Sequence, residues 1–391
     1  MNELLCDSTH GRYILHMLRT AHTAAIVLFT SALAEAQVID GHAEPLYGRA
    51  RAIQQVYTGF GNATNGGGNG FCNGSELDGA FAMLDADGGF LYLTLAGNLE
   101  SNFNKLVVFI DSRPDAGQRE LRGDNPDLDF NNLNRMGSGV NWQGKPVPGL
   151  RFDEGFAADA VMFFTVGGGD IGAVPQVPPT MYVNFGQLLT EGGGVGGYVG
   201  AGAWSIELGC NLLATNKYGL EAALNNSNID GVSGDPAEPG SGEGVRTGLE
   251  IKIPLALIDW DFTSPIKVCA FVNNGGHDFM SNQVLGSLPA GSGNLGGDGS
   301  GGYIGGSSGV LRIDFAGIPG DQYVVVPRGT PDDGDCIADL APSGTVDGAD
   351  LGALLAEWGP SAPGGLADFN ADGIVDGADL GVLLASWGGC R

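Results

Sequence analysis

The chain has 391 residues, 69 of them glycine, and a formal net charge of −27. Its length allows two or three domains, while so much glycine excludes a mainly helical protein, because glycine loses the most backbone freedom in a helix. The acidity argues against nucleic acid and anionic membrane surfaces as partners, and fits a solvated protein that attracts cations.

At the N-terminus Ala24 to Leu33 is apolar, Arg19 precedes it, and Ala34-Glu35-Ala36 fits a small-x-small cleavage site. Residues 1–36 are therefore expected to be a signal peptide, with Met17 an alternative start. The apolar run is too short to span a bilayer, so no membrane insertion is expected after cleavage. The expected location is secreted or extracellular, free or attached at the cell surface. Cleavage leaves Cys72, Cys210, Cys269, Cys336 and Cys390. An oxidising compartment favours pairing, with Cys336 to Cys390 expected, a second pair among the other three, and one thiol left over.

Turn clusters and short apolar runs dominate residues 37–326. Glu76 to Leu84 and Phe90 to Ala96 flank Asp85-Ala86-Asp87-Gly88-Gly89 and read as a hairpin. Further strands are expected at Lys105–Ile110, Ala160–Val166, Met181–Phe185, Ala203–Leu208, Thr247–Ile253, Ile266–Val272, Val310–Phe315 and Gln322–Val326. Pro254 to Asp259 reads as a helical turn. Gly192–Gly202 and Gly286–Gly309 read as loops. About ten short strands joined by turns indicate a β-sandwich. Pro327 to Gly334 then reads as a linker.

The body offers little catalytic chemistry. After export only His42 and His277 remain, and His277 reads as a surface residue bonded to Asp278. Gly305-Gly306-Ser307-Ser308-Gly309 matches G-x-S-x-G inside a Gly/Ser tract, with no strand-to-helix elbow around it. Paired acids for glycoside hydrolysis are offered by Asp153, Glu154 and Asp159, or by Asp259 and Asp261. Asp111, Asp115, Asp124, Asp127 and Asp129 crowd one segment, which reads as a solvated turn or a further calcium site. Sugar platforms would come from Trp142, Trp204 and Trp260, each of which also reads as core.

The last fifty-odd residues are written twice. Asp368, Asn370, Asp372, Asp376 and Asp379 fall at positions 1, 3, 5, 9 and 12 of a twelve-residue loop, Gly373 takes the sharp turn, and the Ile374 carbonyl supplies position 7. Such an oxygen cage suits Ca2+, although Asp379 replaces the usual longer glutamate. The earlier copy keeps Asp339, Asp347 and Asp350, with Ser343 at position 5, the Thr345 carbonyl at position 7, and Ala341 at position 3. Leu351, Leu354, Leu355 and Trp358, then Leu380, Leu383, Leu384 and Trp387, follow the loops at helical spacing. Two loop-helix units are thus expected to pack stripe to stripe about a pseudo-twofold.

This duplicated D-x-N-x-D-G-x-x-D-x-x-D loop and helix resembles a type I dockerin over residues 335–391. The resemblance implies a calcium-folded module that docks its host to a cohesin domain, often in polysaccharide degradation. Gly348-Ala349 and Gly377-Ala378 stand where many dockerins place hydroxyl residues for that contact, which leaves the partner open. With its Asp40-Gly41 opening, the strand Phe90-Leu91-Tyr92-Leu93-Thr94-Leu95 and a later strand followed by Asp111-Ser112-Arg113, the body resembles DOMON and family 9 carbohydrate-binding sandwiches over Asp40 to Asp115, which implies sugar binding.

The expectation is a mainly β protein, a β-sandwich body with a small α-helical, calcium-binding dockerin-like module. Its expected work is non-catalytic: carbohydrate binding, with docking to a cohesin-type or cell-surface partner. A glycoside hydrolase or other polysaccharide-active enzyme on the same module, and an extracellular structural protein, remain alternatives.

Overall fold

A computed structural model describes residues 37–61, 74–113, 116–140, 144–169, 173–174, 177–205, 210–212, 218–262, 264–286, 288–296, 313–326, 338–340, 345–360, 367, 369 and 374–389. The described residues from Ile39 onward form one compact unit. The expected signal peptide, Cys72, Cys336, Cys390, the linker and Gly305–Gly309 lie outside the described residues.

The body strands are β1 (Ala52–Ile53), β2 (Glu76–Asp85), β3 (Phe90–Asn98), β4 (Lys105–Asp111), the small hairpin β5 and β6 (Gly139–Val140, Pro146–Val147), β7 (Ala160–Gly167), β8 (Thr180–Gln187), β9 (Gly196–Ser205), β10 (Cys210–Leu212), β11 (Glu221–Asn225), β12 (Gly248–Pro254), β13 (Lys267–Asn273), β14 (Met280–Leu285) and β15 (Val324–Val325). Apart from the β5–β6 hairpin they form one antiparallel sheet, in the order β1-β2-β3-β12-β11-β10-β9-β8-β7-β4-β13-β14, with β15 beside β13. One short helix, α1 (Asn132–Arg135), lies between β4 and β5. Among the described residues no helix is long and apolar enough to cross a membrane.

Side-chain alternation folds this sheet over a shared core. Leu91, Leu93 and Leu95 of β3 and Leu249, Ile251 and Ile253 of β12 join one buried cluster with Leu106, Val108 and Ile110 of β4 and Met162, Phe164 and Val166 of β7. Residues two apart on a strand share a face, so each strand gives this cluster every second side chain. Where the two halves meet, the Gln283 side chain of β14 accepts the Leu77 N–H of β2 at 3.0 Å.

The continuous apolar runs have a second destination. Val107 and Phe109, Val161 and Phe163, and Cys269 and Phe271 face outward from β4, β7 and β13 and form a second buried cluster with Leu121, Leu133, Leu150, Phe152, Phe156 and Phe315. Residues 112–159 thus cover the outer face of that half. A smaller cluster, with Tyr47, Phe81, Met83 and Tyr92, covers the other half's outer face. Cys269 is a free thiol inside the second cluster.

Several expectations change. Gly196 to Gly202, read as loop, is the first part of β9, since a pairing partner in β8 outweighs glycine's poor strand propensity. Phe315 enters a 3-10 turn, Phe315–Gly317, instead of ending a strand. The stretch Pro254–Asp259 does hold a 3-10 turn, Leu255–Leu257. Strands β11 and β14 were not expected. In β14 the polar Ser281, Asn282 and Gln283 are fully buried, because loop carbonyls such as Tyr57 O and Ser292 O accept their side chains.

Phe109 is wholly buried, 4.9 Å from the Phe152 ring and 6.1 Å from Phe271. Phe109→Ala should therefore cost about 3–5 kcal/mol in urea denaturation; an unchanged midpoint would contradict a packed second core.

Candidate functional site

The C-terminal repeats form a symmetric helical pair. Helices α2 (Gly348–Ala356) and α3 (Gly377–Ala385) each follow a two-residue strand, β16 (Thr345–Val346) and β18 (Ile374–Val375). Each strand pairs with the segment after the other repeat's helix, β16 with β19 (Gly388–Gly389) and β18 with β17 (Gly359–Pro360). Val346 and Val375, and Leu354 and Leu383, are buried together. The expected stripes are only half used: Leu355, Trp358, Leu384 and Trp387 remain about half exposed.

Each helix begins inside its loop, so the acids at loop positions 9 and 12 also cap it. Asp347 accepts Ala349 N–H and Asp376 accepts Ala378 N–H, both at 2.7 Å. Asp350 and Asp379, fully buried, accept Asp347 N–H at 2.7 Å and Asp376 N–H at 2.9 Å, which completes two capping boxes. Asp379 Oδ1 also accepts Phe369 N–H at 2.7 Å, tying loop position 2 to position 12. Ionised carboxylates keep further lone pairs beyond these bonds, so this donor set fits a hard cation. Asp339 is half-buried, and Thr345 and Ile374 are exposed. Ser343, Asp368, Asn370 and Asp372 lie outside the described residues.

A second site, not foreseen, opens on the outer face of the body. Across β13, β4, β7 and β8, Asn273, Lys105, Thr165 and Tyr182 are successive register partners. This polar row lies next to the apolar row Phe271, Val107 and Phe163, where the second core ends. Asn184, two residues along β8 from Tyr182, pairs with Tyr198 of β9. Above this floor lies a cleft of about 810 Å³, walled by Phe103, Asp127, Asp129, Phe130 and Asn132. Phe130 is 95% exposed and Tyr198 54%.

Beneath it lies a buried charge network. Lys105 Nζ sits 2.7 Å from Asp129 Oδ2 and donates to Thr165 Oγ1 at 3.2 Å. His277, fully buried, lies under the Phe163 ring at 4.5 Å. Asn273 Nδ2 is 3.1 Å from His277 Nδ1; an amide nitrogen only donates, so the ring proton sits on Nε2, 3.4 Å from Asp129 Oδ2. Burial holds His277 down at about 4, so it is neutral near pH 7. Burial alone would raise Asp129, but His277 and Lys105 outweigh it and hold the carboxyl at about 2.

Backbone strain gathers at the same place. Among the described residues seven non-glycine positions have positive φ, and Phe103, Asp129, Phe130, Asn131 and His277 are five of them, at 70°, 51°, 57°, 63° and 55°. Each costs on the order of 1–3 kcal/mol, and such residues concentrate where function holds a shape.

The other anticipated residues are structural. Asp153 accepts Gln322 N–H, Glu154 pairs with Arg119, and Asp159 accepts Ser112 and Arg113 N–H groups inside the body. Asp259 pairs with Arg113 and Asp261 caps Ser264. Trp260 is buried, with Nε1 donating to Ser264 O. Trp142 and the Trp204 side chain lie outside the described residues. His277 is a core residue partnered by Asn273 and Asp129, while Asp278 bonds Asn274 instead. Of the crowded acids, Asp111 pairs with Lys267, Asp124 with Arg122 and Asp129 with Lys105; Asp127 is exposed, and Asp115 lies outside the described residues. Asp40, Glu44 and Glu250 do converge, but Glu250 is taken by Asp40 N–H, Gly41 N–H and the Tyr47 hydroxyl. No family model, curated protein or solved structure matches the chain.

The network makes stability depend on acid in a defined way. His277 has a folded value of about 4 against about 6.5 unfolded, so its contribution is complete above pH 6.5 and lost as pH falls toward 4, about 3 kcal/mol in all. Asp78, raised to about 8 by burial and Glu76, and Asp159, raised by burial to about 6, act the opposite way: their contributions are lost as pH rises from 3.8 through those values. Comparison with His277→Gln cancels these. The stability gap between wild type and variant should narrow by about 3 kcal/mol from pH 7 to pH 4; a gap independent of pH would contradict a buried neutral His277.

Proposed function

We propose that this is a secreted, non-catalytic carbohydrate-binding protein whose C-terminal repeat is a calcium-dependent docking module. The cleft carries the first half of this reading. Exposed rings beside polar groups suit a sugar, whose C–H faces stack on aromatics while its hydroxyls take hydrogen bonds. The rigid floor and the left-handed wall support a shape held before the ligand arrives. The apolar export segment and the acidic surface support an extracellular setting.

For the module, Asp368, Asn370, Asp372, the Ile374 carbonyl, Asp376 and Asp379 would hold Ca2+ in the second loop. Asp339, Ser343, Thr345, Asp347 and Asp350 would do so in the first. Bound calcium neutralises the crowded carboxylates and fixes the loops against the helices. The half-exposed Leu355, Trp358, Leu384 and Trp387 give the module an apolar surface for a protein partner of cohesin type.

Calorimetry of the full chain with a panel of oligosaccharides tests the first half. Wild type should bind at least one, and Tyr198→Ala should weaken it at least about tenfold, as loss of one stacking ring predicts. Binding that survives Tyr198→Ala would move the sugar elsewhere, and turnover of a bound glycan would favour the glycosidase reading. For the second half, Asp368→Ala with Asp372→Ala should abolish high-affinity calcium binding by the full chain; unchanged affinity would overturn the calcium assignment.

A further inference from the structure

Asn184 stands apart from the other buried amides of the body. Asn98, Asn125, Asn226, Asn228, Asn273, Asn282, Gln118 and Gln283 all make side-chain hydrogen bonds. Asn184 is only 7% exposed and lines the cleft, yet its amide has no hydrogen-bond partner among the described residues. Its amide atoms are not among the side-chain atoms sealed from water without a partner, so they face the cleft, where water or an entering ligand bonds them. Its carbonyl accepts and its NH2 donates, side by side. Two adjacent hydroxyls of a sugar ring meet that pair, one donating and one accepting, whichever way the amide is turned.

The surroundings fix the ligand's charge class. Lys105 and Asp129 cancel, and His277 beneath them is neutral. Lys105 is the one cation among the lining residues and is taken by Asp129, so Asp127 on the exposed wall is left uncompensated in the cleft lining. An anionic sugar would meet that carboxylate and the field of a strongly acidic chain.

Resting on the carbohydrate reading, we propose that the cleft takes an uncharged pyranose chain and that Asn184 reads two vicinal hydroxyls of the ring stacked on Tyr198. Tyr198 lies directly across the β8–β9 ladder from Asn184, so a ring on its face places hydroxyls over the amide.

Calorimetry of the full chain with neutral gluco-, xylo- and manno-oligosaccharides, and with uronate oligomers of matching length, tests this. The neutral ligand should bind at least about tenfold more tightly than its uronate counterpart, and Asn184→Ala and Asn184→Asp should each lose about tenfold or more. In a monodeoxy series, deleting a hydroxyl that Asn184 reads should weaken binding to wild type and leave Asn184→Ala unaffected; a purely structural role would not move this. Should Asn184→Ala fail to fold, the deoxy series on wild type still decides: tolerance of every vicinal deletion overturns the proposal. Full affinity in both Asn184 variants alongside loss in Tyr198→Ala overturns the role of Asn184 and leaves the carbohydrate reading standing. Equal or tighter uronate binding overturns the charge class, and no binding by wild type overturns both readings.

Discussion

The ion pair between Lys105 and Asp129, 2.7 Å long and almost out of water, is what the cleft depends on. Lys105 belongs to β4, paired on both sides by β7 and β13, and Asp129 to the loop above it, so the pair pins loop to sheet at one point. A lone charge there would be costly to bury, and each ion is tolerable because the other is present. Held this way, Asp129, Phe130 and Asn131 keep three successive left-handed conformations that they would not adopt unaided. Phe130 is thereby turned out to solvent and forms a wall.

The same strands do two jobs along their length. Toward Asp111 and Lys267, β4 and β13 bury apolar residues on both faces, aliphatic inside and Phe109 and Phe271 outside, and the 112–159 excursion covers the outer one. Toward Lys105 and Asn273 the outward positions become polar, the cover draws back, and the sheet surface opens. The cleft is therefore the place where an apolar outer layer ends. At the other end of the chain, Arg49 donates to Phe369 O at 2.7 Å and lies over its ring, so the loop of the second repeat touches the body beside position 2.

Much of the fold was legible. Phe-Leu-Tyr-Leu-Thr-Leu, Lys-Leu-Val-Val-Phe-Ile and Val-Met-Phe-Phe-Thr-Val announce strands, and their lack of alternation follows from burial on both faces. The polar strand β14 and the glycine-rich start of β9 were not legible, because partners and not propensity make them strands. The cleft was hidden for a different reason. Lys105, Thr165, Tyr182, Asn184 and Tyr198 lie on four strands, and only the register assembles them; nothing local distinguishes Asp129 from its acidic neighbours. Tryptophan was the signal sought for a sugar platform, and the rings that line the cleft are phenylalanine and tyrosine. The C-terminal repeat was legible as a motif because its spacing is local.

The most direct measurement is the calorimetric affinity of wild type and of a double variant, Lys105→Met with Asp129→Asn, for the neutral oligosaccharides proposed for the cleft. The change removes both charges together, leaving no buried ion unpaired, and alters no ring of the cleft. The account predicts a folded body whose loop is no longer pinned, with affinity at least about tenfold lower. Wild-type affinity in the folded double variant would contradict it.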